Sequence, residues 1–252
     1  MRKLCCALRN PLIECLSETD QPKDISMKRS TVNDILREGD AFIRSFGYIL
    51  PPYAYLTPDA LKASDHSMLV ERRMGWDVTD YGQGKFDELG LFLFTTRNGR
   101  AADLTAGTGM LYAEKIMISR EEQLSPMHRH VVKAEDIINK GGATLIIELF
   151  AAHSDGTIDR ESNVIVPVDG IIKTLPAGGK LALAPGESVT LLPGVWHAFW
   201  GEGGDVLIGE VSTVNDDLTD NVFEMEIGRF SKIEEDLAPM HLLVSDYDAY
   251  LG

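Results

Sequence analysis

The feature that most restricts the fold of this chain is a long series of short apolar runs. From about residue 87 onward, runs rich in β-branched, aromatic and leucine residues alternate with glycine, proline and asparagine. We predict ten strands, at residues 89–96, 112–119, 124–132, 143–150, 164–168, 171–175, 180–184, 188–192, 197–200 and 206–214. Many short strands at fairly even spacing are typical of an all-β barrel or sandwich, and not of alternating β/α units. The glycine-rich stretch 139–142 predicts a turn between two antiparallel strands.

A helical pattern precedes these strands. From Ser30 or Thr31 onward, apolar residues recur at spacings of three and four, and a hydroxyl side chain is the expected N-cap. Gly47 follows the last apolar residue and predicts the end of the helix. Thr57 and Pro58 predict the start of a second, short helix. Because the helices come before the strands, we expect them to pack outside the barrel or at a subunit interface.

Length and charge limit the partners of the chain. It has 252 residues and a formal net charge of -15. Such a charge argues against nucleic acid or an anionic membrane surface as a partner, and it suits a small neutral substrate. The sequence has no apolar run of about 18 residues, so we expect no membrane span.

The first 26 residues differ from the remainder. They contain all three cysteines, whose spacing matches no zinc motif, so we expect a reduced, cytoplasmic protein without a cysteine function. The apolar stretch after the charged N-terminus is too short for a signal peptide, so secretion is not expected. The first well-patterned segment begins at Met27. We therefore predict that residues 1–26 are a dispensable extension and that residues 27–252 form a single domain.

The strongest chemical signal is a pair of histidines two residues apart. On a strand, His128 and His130 would point to the same face, about 7 Å apart. Glu135 follows, and a bulge or turn would bring its carboxylate back to the same side. A proline–glycine turn later in the chain precedes His197. Three imidazoles and one carboxylate suit Mn²⁺, Fe²⁺, Co²⁺, Ni²⁺ or Zn²⁺, so we predict these four residues as ligands of one metal ion.

These segments resemble the sequence motifs of a known superfamily. Segment 128–142, with its two histidines, glutamate and final glycine, resembles the first motif of the cupins, and segment 186–197 is similar to the second. Beyond the motifs, the chain from Met27 onward resembles bacterial D-lyxose isomerases. The segments that carry this resemblance are 27–30, 49–54, 75–80, 128–142 and 209–212.

The resemblance implies a fold and a function. The implied fold is a cupin-type, jelly-roll β-barrel with the N-terminal helices packed outside. The implied function is a Mn²⁺-dependent aldose–ketose isomerase that interconverts D-lyxose and D-xylulose, with related activity on D-mannose and D-fructose, as a cytoplasmic homodimer. Two alternatives fit the same ligands: an Fe²⁺-dependent cupin oxygenase and a non-enzymatic sugar-binding cupin. A phosphosugar isomerase would need a cluster of basic residues, and these are sparse near the motifs.

Two strand-borne glutamates are candidates for the base that moves a proton between C1 and C2 of a sugar. We favour Glu210, because a carboxylate flanked by apolar strand residues is costly to bury without a purpose. Glu148 has a similar setting, and it lines the site only if its face of the strand points inward. Lys133 lies between the predicted ligands and is a candidate to hydrogen-bond a substrate oxygen or to offset enediolate charge.

Three further residues are candidate sugar contacts. Asp217 and Arg229 either bind sugar hydroxyls or form a surface ion pair. Trp76 either forms part of an apolar wall against the sugar ring or is a core residue. The sequence leaves both choices open.

Overall fold

The computed structural model describes residues 26–252, so the predicted extension lies outside the described residues except for its last residue. In the described part, a 3-10 helix at Pro52–Tyr55 accompanies the α-helices α1 Arg29–Ser45, α2 Pro58–Lys62, α3 Ser67–Glu71, α4 Ala101–Ala106 and α5 Tyr247–Tyr250. The second predicted helix is confirmed as α2, where the Thr57 side chain accepts a hydrogen bond from the amide of Ala60 at 3.2 Å. The expected hydroxyl cap of α1 is wrong, because its N-cap is Lys28, and the amide of Ser30 in the first turn instead donates to the Asp236 carboxylate at 2.8 Å.

The strands confirm the all-β prediction. They are β1 Met27–Lys28, β2 Gly75–Thr79, β3 Leu91–Arg97, β4 Tyr112–Ser119, β5 Ser125–His130, β6 Glu135–Ala152, β7 Ile158–Asp159, β8 Val164–Val168, β9 Ile171–Leu175, β10 Gly179–Leu183, β11 Ser188–Leu191, β12 Trp196–Thr213, β13 Asn221–Phe223 and β14 Ile233–Glu234. Strands β1, β2, β7, β13 and β14 and helices α3, α4 and α5 were not predicted. All five residues of β2 are buried, so it lacks the alternation that marks a half-exposed strand.

The predicted turn at 139–142 is wrong, because the chain runs through it as a single long strand, β6. The reason is visible at Gly142, where φ is +97° and an added Cβ would lie 2.2 Å from the carbonyl oxygen of Asp205. Glycine therefore lets β6 bend sharply against its neighbour without reversing direction. In the same way, the strands predicted at 197–200 and 206–214 are two halves of β12.

The two long strands pass through both sheets of a sandwich. In one sheet the order is β2-β3-β4-β12-β6-β11-β8-β9, and Glu210 of β12 pairs with Ile137 of β6. In the other sheet, the remaining halves of β6 and β12 pair with each other again. There β10 pairs with β6, β5 pairs with β12, and β13 pairs with β5. Here His197 lies opposite both Leu149 and His128. These ladders are antiparallel, as expected for a cupin-type barrel.

Two apolar layers hold this arrangement together. Between the sheets, Leu145, Ile147 and Leu149 point inward and are fully buried. Outside, Leu36 and Ile43 of α1 pack in the cluster that covers β2, β3 and β4, so the helix lies on the outer face as predicted. No helix in residues 26–252 is long and apolar enough to cross a membrane.

Candidate active site

A pocket opens between the two sheets. Its inner wall is apolar and belongs to the core between the sheets, with Leu93, Met117 and Phe199 as members. Polar side chains converge on the remaining wall: Lys115, Ser125, His128, His130, Lys133, Glu135, His197, Glu210, Asp217, Asn221 and Arg229. An apolar pocket with a few convergent polar groups is the usual form of a small-molecule site.

Three histidines meet in this cavity. Ligand atoms of His128, His130 and His197 all lie within 4.8 Å of one another. The Nδ1 atoms of His128 and His197 lie 2.8 Å and 3.1 Å from the carbonyl oxygens of the residues two positions earlier, Pro126 and Val195. Only a protonated Nδ1 can bond a carbonyl, so Nε2 of each ring keeps its lone pair for the cavity. The antiparallel pairing of β5 with β12 brings the rings together.

Glu135 completes the group from the start of β6. Its Oε1 lies 3.3 Å from Nε2 of His130 and 3.2 Å from Nε2 of His197, yet it has no hydrogen-bond partner among the described residues. Donor atoms about 2.1 Å from one ion and at right angles to each other are about 3 Å apart. An orphaned carboxylate oxygen at this spacing fits a shared divalent cation, so these four residues together could hold one.

The charges in the group also suit a cation. Burial, helped by the proximity of His197, lowers the pKa of His128 well below 6.5, so the ring is neutral near pH 7. Burial alone would raise the pKa of Glu135, but the positive charge of Lys133 outweighs it and holds that pKa well below its usual range. Neutral imidazoles and an ionised carboxylate are the forms that bind metal ions.

Glu210 lies between two buried lysines. Its Oε1 is 3.0 Å from Nζ of Lys133 and 3.2 Å from Nζ of Lys115. Lys133 also reaches Glu135 at 2.6 Å, so it links the candidate ligands to the candidate base. Burial would raise the pKa of Glu210, but the two lysines lower it below 4.5, so the group is a carboxylate at neutral pH.

Asp217 and Arg229 form an ion pair, and the pair is buried at the cavity instead of lying on the surface. Nη2 of Arg229 is 3.3 Å from Asp217 and 2.8 Å from Asp77. Asp217 is in turn 3.9 Å from Lys115, so charges of alternating sign extend along the wall. Burial opposes ionisation of Asp217, but Arg229 and Lys115 hold its pKa far below its usual range.

Two predicted sugar contacts lie away from this cavity. Glu148 is on the opposite face of β6 from the inward residues Ile147 and Leu149, and it is only half-buried. Trp76 is a core residue beneath α1, where its indole N–H donates to the carbonyl of Ala54 at 2.6 Å. Neither side chain lines the site.

Lys115 lines the cavity, and sequence reasoning did not identify it. It lies in strand β4 directly after Glu114, and it is only 3% exposed. Because two charged residues adjoin here, the pattern is less distinctive than that of Glu210, whose flanking strand residues carry no charge. The partners of Lys115 are Glu210 and the side-chain oxygen of Asn215, which accepts a hydrogen bond from it at 2.6 Å.

The fold and the site together define a cupin-type protein with a group of three histidines and one carboxylate beside a buried glutamate–lysine ion pair. Similar structures support the fold: crystal structures of L-ribose isomerases from Cellulomonas parahominis and Geodermatophilus obscurus match with TM-scores of 0.58 and 0.56. They are 15% and 16% identical in sequence, and each match covers 83% of this chain and 99% of the other.

Sequence comparison gives the family. A family model described as D-lyxose isomerase matches residues 27–247. The chain is 48% identical to a D-lyxose/D-mannose isomerase of Serratia proteamaculans, over 90% of this chain and 100% of the relative. It is 43% identical to one of Escherichia coli O157:H7, over 88% of this chain and 98% of the relative. This chain therefore belongs to the D-lyxose isomerase family.

Proposed function

We propose that this protein is a metal-dependent aldose–ketose isomerase that interconverts D-lyxose with D-xylulose and D-mannose with D-fructose. The relatives named for D-lyxose and D-mannose support the substrate class. The observation that carries the reaction type is the position of the Glu210 carboxylate, which shares one cavity with the three-histidine group and is linked to it through Lys133. We further propose that the protein acts as a homodimer in the cytoplasm.

We propose Mn²⁺ as the bound metal ion, held by His128, His130, Glu135 and His197. Such an ion would polarise the sugar carbonyl and stabilise the negative charge of the enediolate. The chain itself prepares the group for the ion. Burial lowers the pKa of His128 and of His130, which favours their neutral form, and Lys133 keeps Glu135 ionised and in place.

Glu210 is the proposed base. It takes the proton from C2 of the open-chain aldose, and the electron pair of that C–H bond forms the C1–C2 double bond while the carbonyl electrons move onto O1. It then returns the proton to C1. The O2 hydroxyl loses its proton, which ends on O1, and the ketose carbonyl forms at C2. A carboxylate held ionised by two lysines is ready to accept the first proton at neutral pH.

The remaining charged residues hold the sugar and its charge. Lys133 and Lys115 lie on either side of Glu210 and offset the negative charge that develops on the sugar oxygens. Arg229 keeps a buried Nη1 without a hydrogen-bond partner among the described residues, so it can donate to a sugar hydroxyl. Asp217 beside it can accept one. These two residues bind the end of the sugar away from C1 in our proposal.

The test is ketose formation from D-lyxose and D-mannose by chelator-treated protein, with and without added Mn²⁺. We expect Mn²⁺-dependent D-xylulose and D-fructose, lost in His128→Ala. Glu210→Gln should bind the metal but lose turnover, whereas the matched control Glu148→Gln, in a similar strand but on the outer face, should keep it. Stoichiometric metal without turnover of either aldose would contradict the proposal, and metal-dependent oxygen uptake would favour an oxygenase.

A further inference from the structure

The connection between β5 and β6 is held by a residue outside the predicted site. This connection, residues 131–134, carries Lys133 and leads directly into Glu135. Asp220 accepts three successive backbone hydrogen bonds from it: Oδ1 from the amides of Val131 at 3.0 Å and Val132 at 2.7 Å, and Oδ2 from the amide of Lys133 at 3.0 Å. A carboxylate bonded to three successive amides fixes the first three residues of this loop, and Thr213 of β12 holds the fourth, Ala134.

The same carboxylate faces a candidate metal ligand. Nδ1 of His130 is buried and has no hydrogen-bond partner among the described residues, unlike Nδ1 of His128 and of His197. Oδ2 of Asp220 lies 3.9 Å from it. That separation is too long for a direct hydrogen bond, but it makes the Asp220 carboxylate the charged group that Nδ1 of His130 faces. A proton held on Nδ1 would leave Nε2 of His130 free to bind a cation.

We propose that Asp220 is the positioning residue of this site, orienting His130 for the metal ion and holding Lys133 against Glu210. The inference rests on the proposed function for the role of Lys133, but its effect on His130 concerns metal binding alone. Outer carboxylates of this kind contribute about 10- to 100-fold to metal affinity in proteins. Asp220 is 7% exposed, so its charge is poorly screened by water.

The test variant is Asp220→Asn. It keeps the size of the side chain and one acceptor oxygen, but it removes the negative charge. Its NH₂ group replaces either the oxygen that accepts from Lys133 or the oxygen that accepts from Val131 and Val132. We expect Mn²⁺ to bind the metal-free protein at least about 10-fold more weakly, measured by the electron paramagnetic resonance signal of free Mn²⁺ during titration. We also expect kcat for D-lyxose to fall at saturating Mn²⁺, because Lys133 moves from Glu210.

The chain offers a matched control in Asp159. It accepts backbone hydrogen bonds from Glu161 and Ser162 at 2.9 Å each and lies 3.7 Å from Nδ1 of His153, but outside the cavity. Asp159→Asn therefore removes the same kind of loop anchor beside a histidine. It should lower the melting temperature to a degree similar to Asp220→Asn while leaving Mn²⁺ affinity and kcat unchanged.

Two results would overturn the inference. One is wild-type Mn²⁺ affinity in folded Asp220→Asn protein, and the other is an equal loss of affinity in Asp159→Asn. If Asp220→Asn does not fold, Asp220→Glu decides the question: it restores the charge, so Mn²⁺ affinity near wild type supports the role and a loss as large as that of His130→Gln refutes it. If the wild type isomerises no aldose but Asp220→Asn still binds Mn²⁺ more weakly, the proposed function is refuted and the role of Asp220 toward His130 stands.

Discussion

Replacing Lys115 by methionine tests the electrostatic reasoning about the base. Methionine has nearly the length of lysine and keeps the buried packing of β4, so the main change is loss of one positive charge. Glu210 then keeps a single cation, Lys133 at 3.0 Å. Burial, which raises the pKa of Glu210, is unchanged. The pKa of Glu210 must therefore rise in the variant.

The size of this rise follows from the distance. Lys115 and Glu210 are 3.2 Å apart, and two unit charges at that distance interact by about 5 kcal/mol at an effective dielectric constant of about 20. This is an upper figure, and carboxyl groups beside one cation shift by about 1–3 pKa units. Because the base acts in its deprotonated form, the acidic limb of the rate profile should move to higher pH by at least about 1 unit. Unfolding should become easier by about 3 kcal/mol, since Asn215 also loses its donor.

The assay is kcat for D-lyxose from about pH 4 to pH 8 at saturating Mn²⁺, with bound metal measured at each pH. Lys180→Met is the control, because Lys180 is exposed and lies 4.8 Å over the ring of Trp200. The control should keep the wild-type profile. An unmoved acidic limb in Lys115→Met, with equal bound metal, would refute the assignment of Glu210 as the titrating base.

Three further outcomes are expected. In the metal-free protein, the free energy of unfolding should fall as the pH drops below about 6.5, by up to about 1.4 kcal/mol per pH unit from His128, because the unfolded chain binds a proton on this residue that the folded chain does not. Denaturant titrations at several pH values give the free energy of unfolding as a function of pH. This free energy should fall less steeply with falling pH in His128→Gln than in the wild type, and as steeply as in the wild type in the half-exposed control His153→Gln. Equal pH dependence in the two variants would contradict this. Gly142→Ala should lower the melting temperature, by a loss of about 2 kcal/mol or more, because its Cβ would lie 2.2 Å from the carbonyl oxygen of Asp205; an unchanged melting temperature would show that the bend does not need glycine. Deletion of residues 1–26 should leave melting temperature and kcat unchanged, and loss of either would refute the prediction that this segment is dispensable.

Most of the fold could be predicted because strand formation leaves a local pattern. The runs at 112–119, 164–168 and 171–175 agree with the observed strands in both bounds. The predicted turn at 139–142 failed for a reason that no local pattern contains. Whether paired glycines reverse a strand or only bend it depends on what lies beside them, and here it is the backbone of Asp205, far along the chain.

The candidate site divides in the same way. Side chains alternate between the two faces of a strand, so local geometry alone predicts that His128 and His130 share a face. Glu148 and Glu210 have the same local pattern, and only the packing of the two sheets decides which one faces the cavity. Asp220 gives no pattern at all, because its role depends on three backbone amides of a distant loop.

The continuity of β12 has a consequence for how substrate range can change during evolution. The strand carries His197 in one sheet and Glu210 in the other, so a single covalent segment sets the spacing between a candidate metal ligand and the candidate base. Asp217 and Arg229 reach the cavity from other segments. Mutations in those segments can adapt the protein to longer or shorter sugars while the reaction centre keeps its dimensions. Directed evolution toward new aldoses should therefore accumulate its changes outside β12.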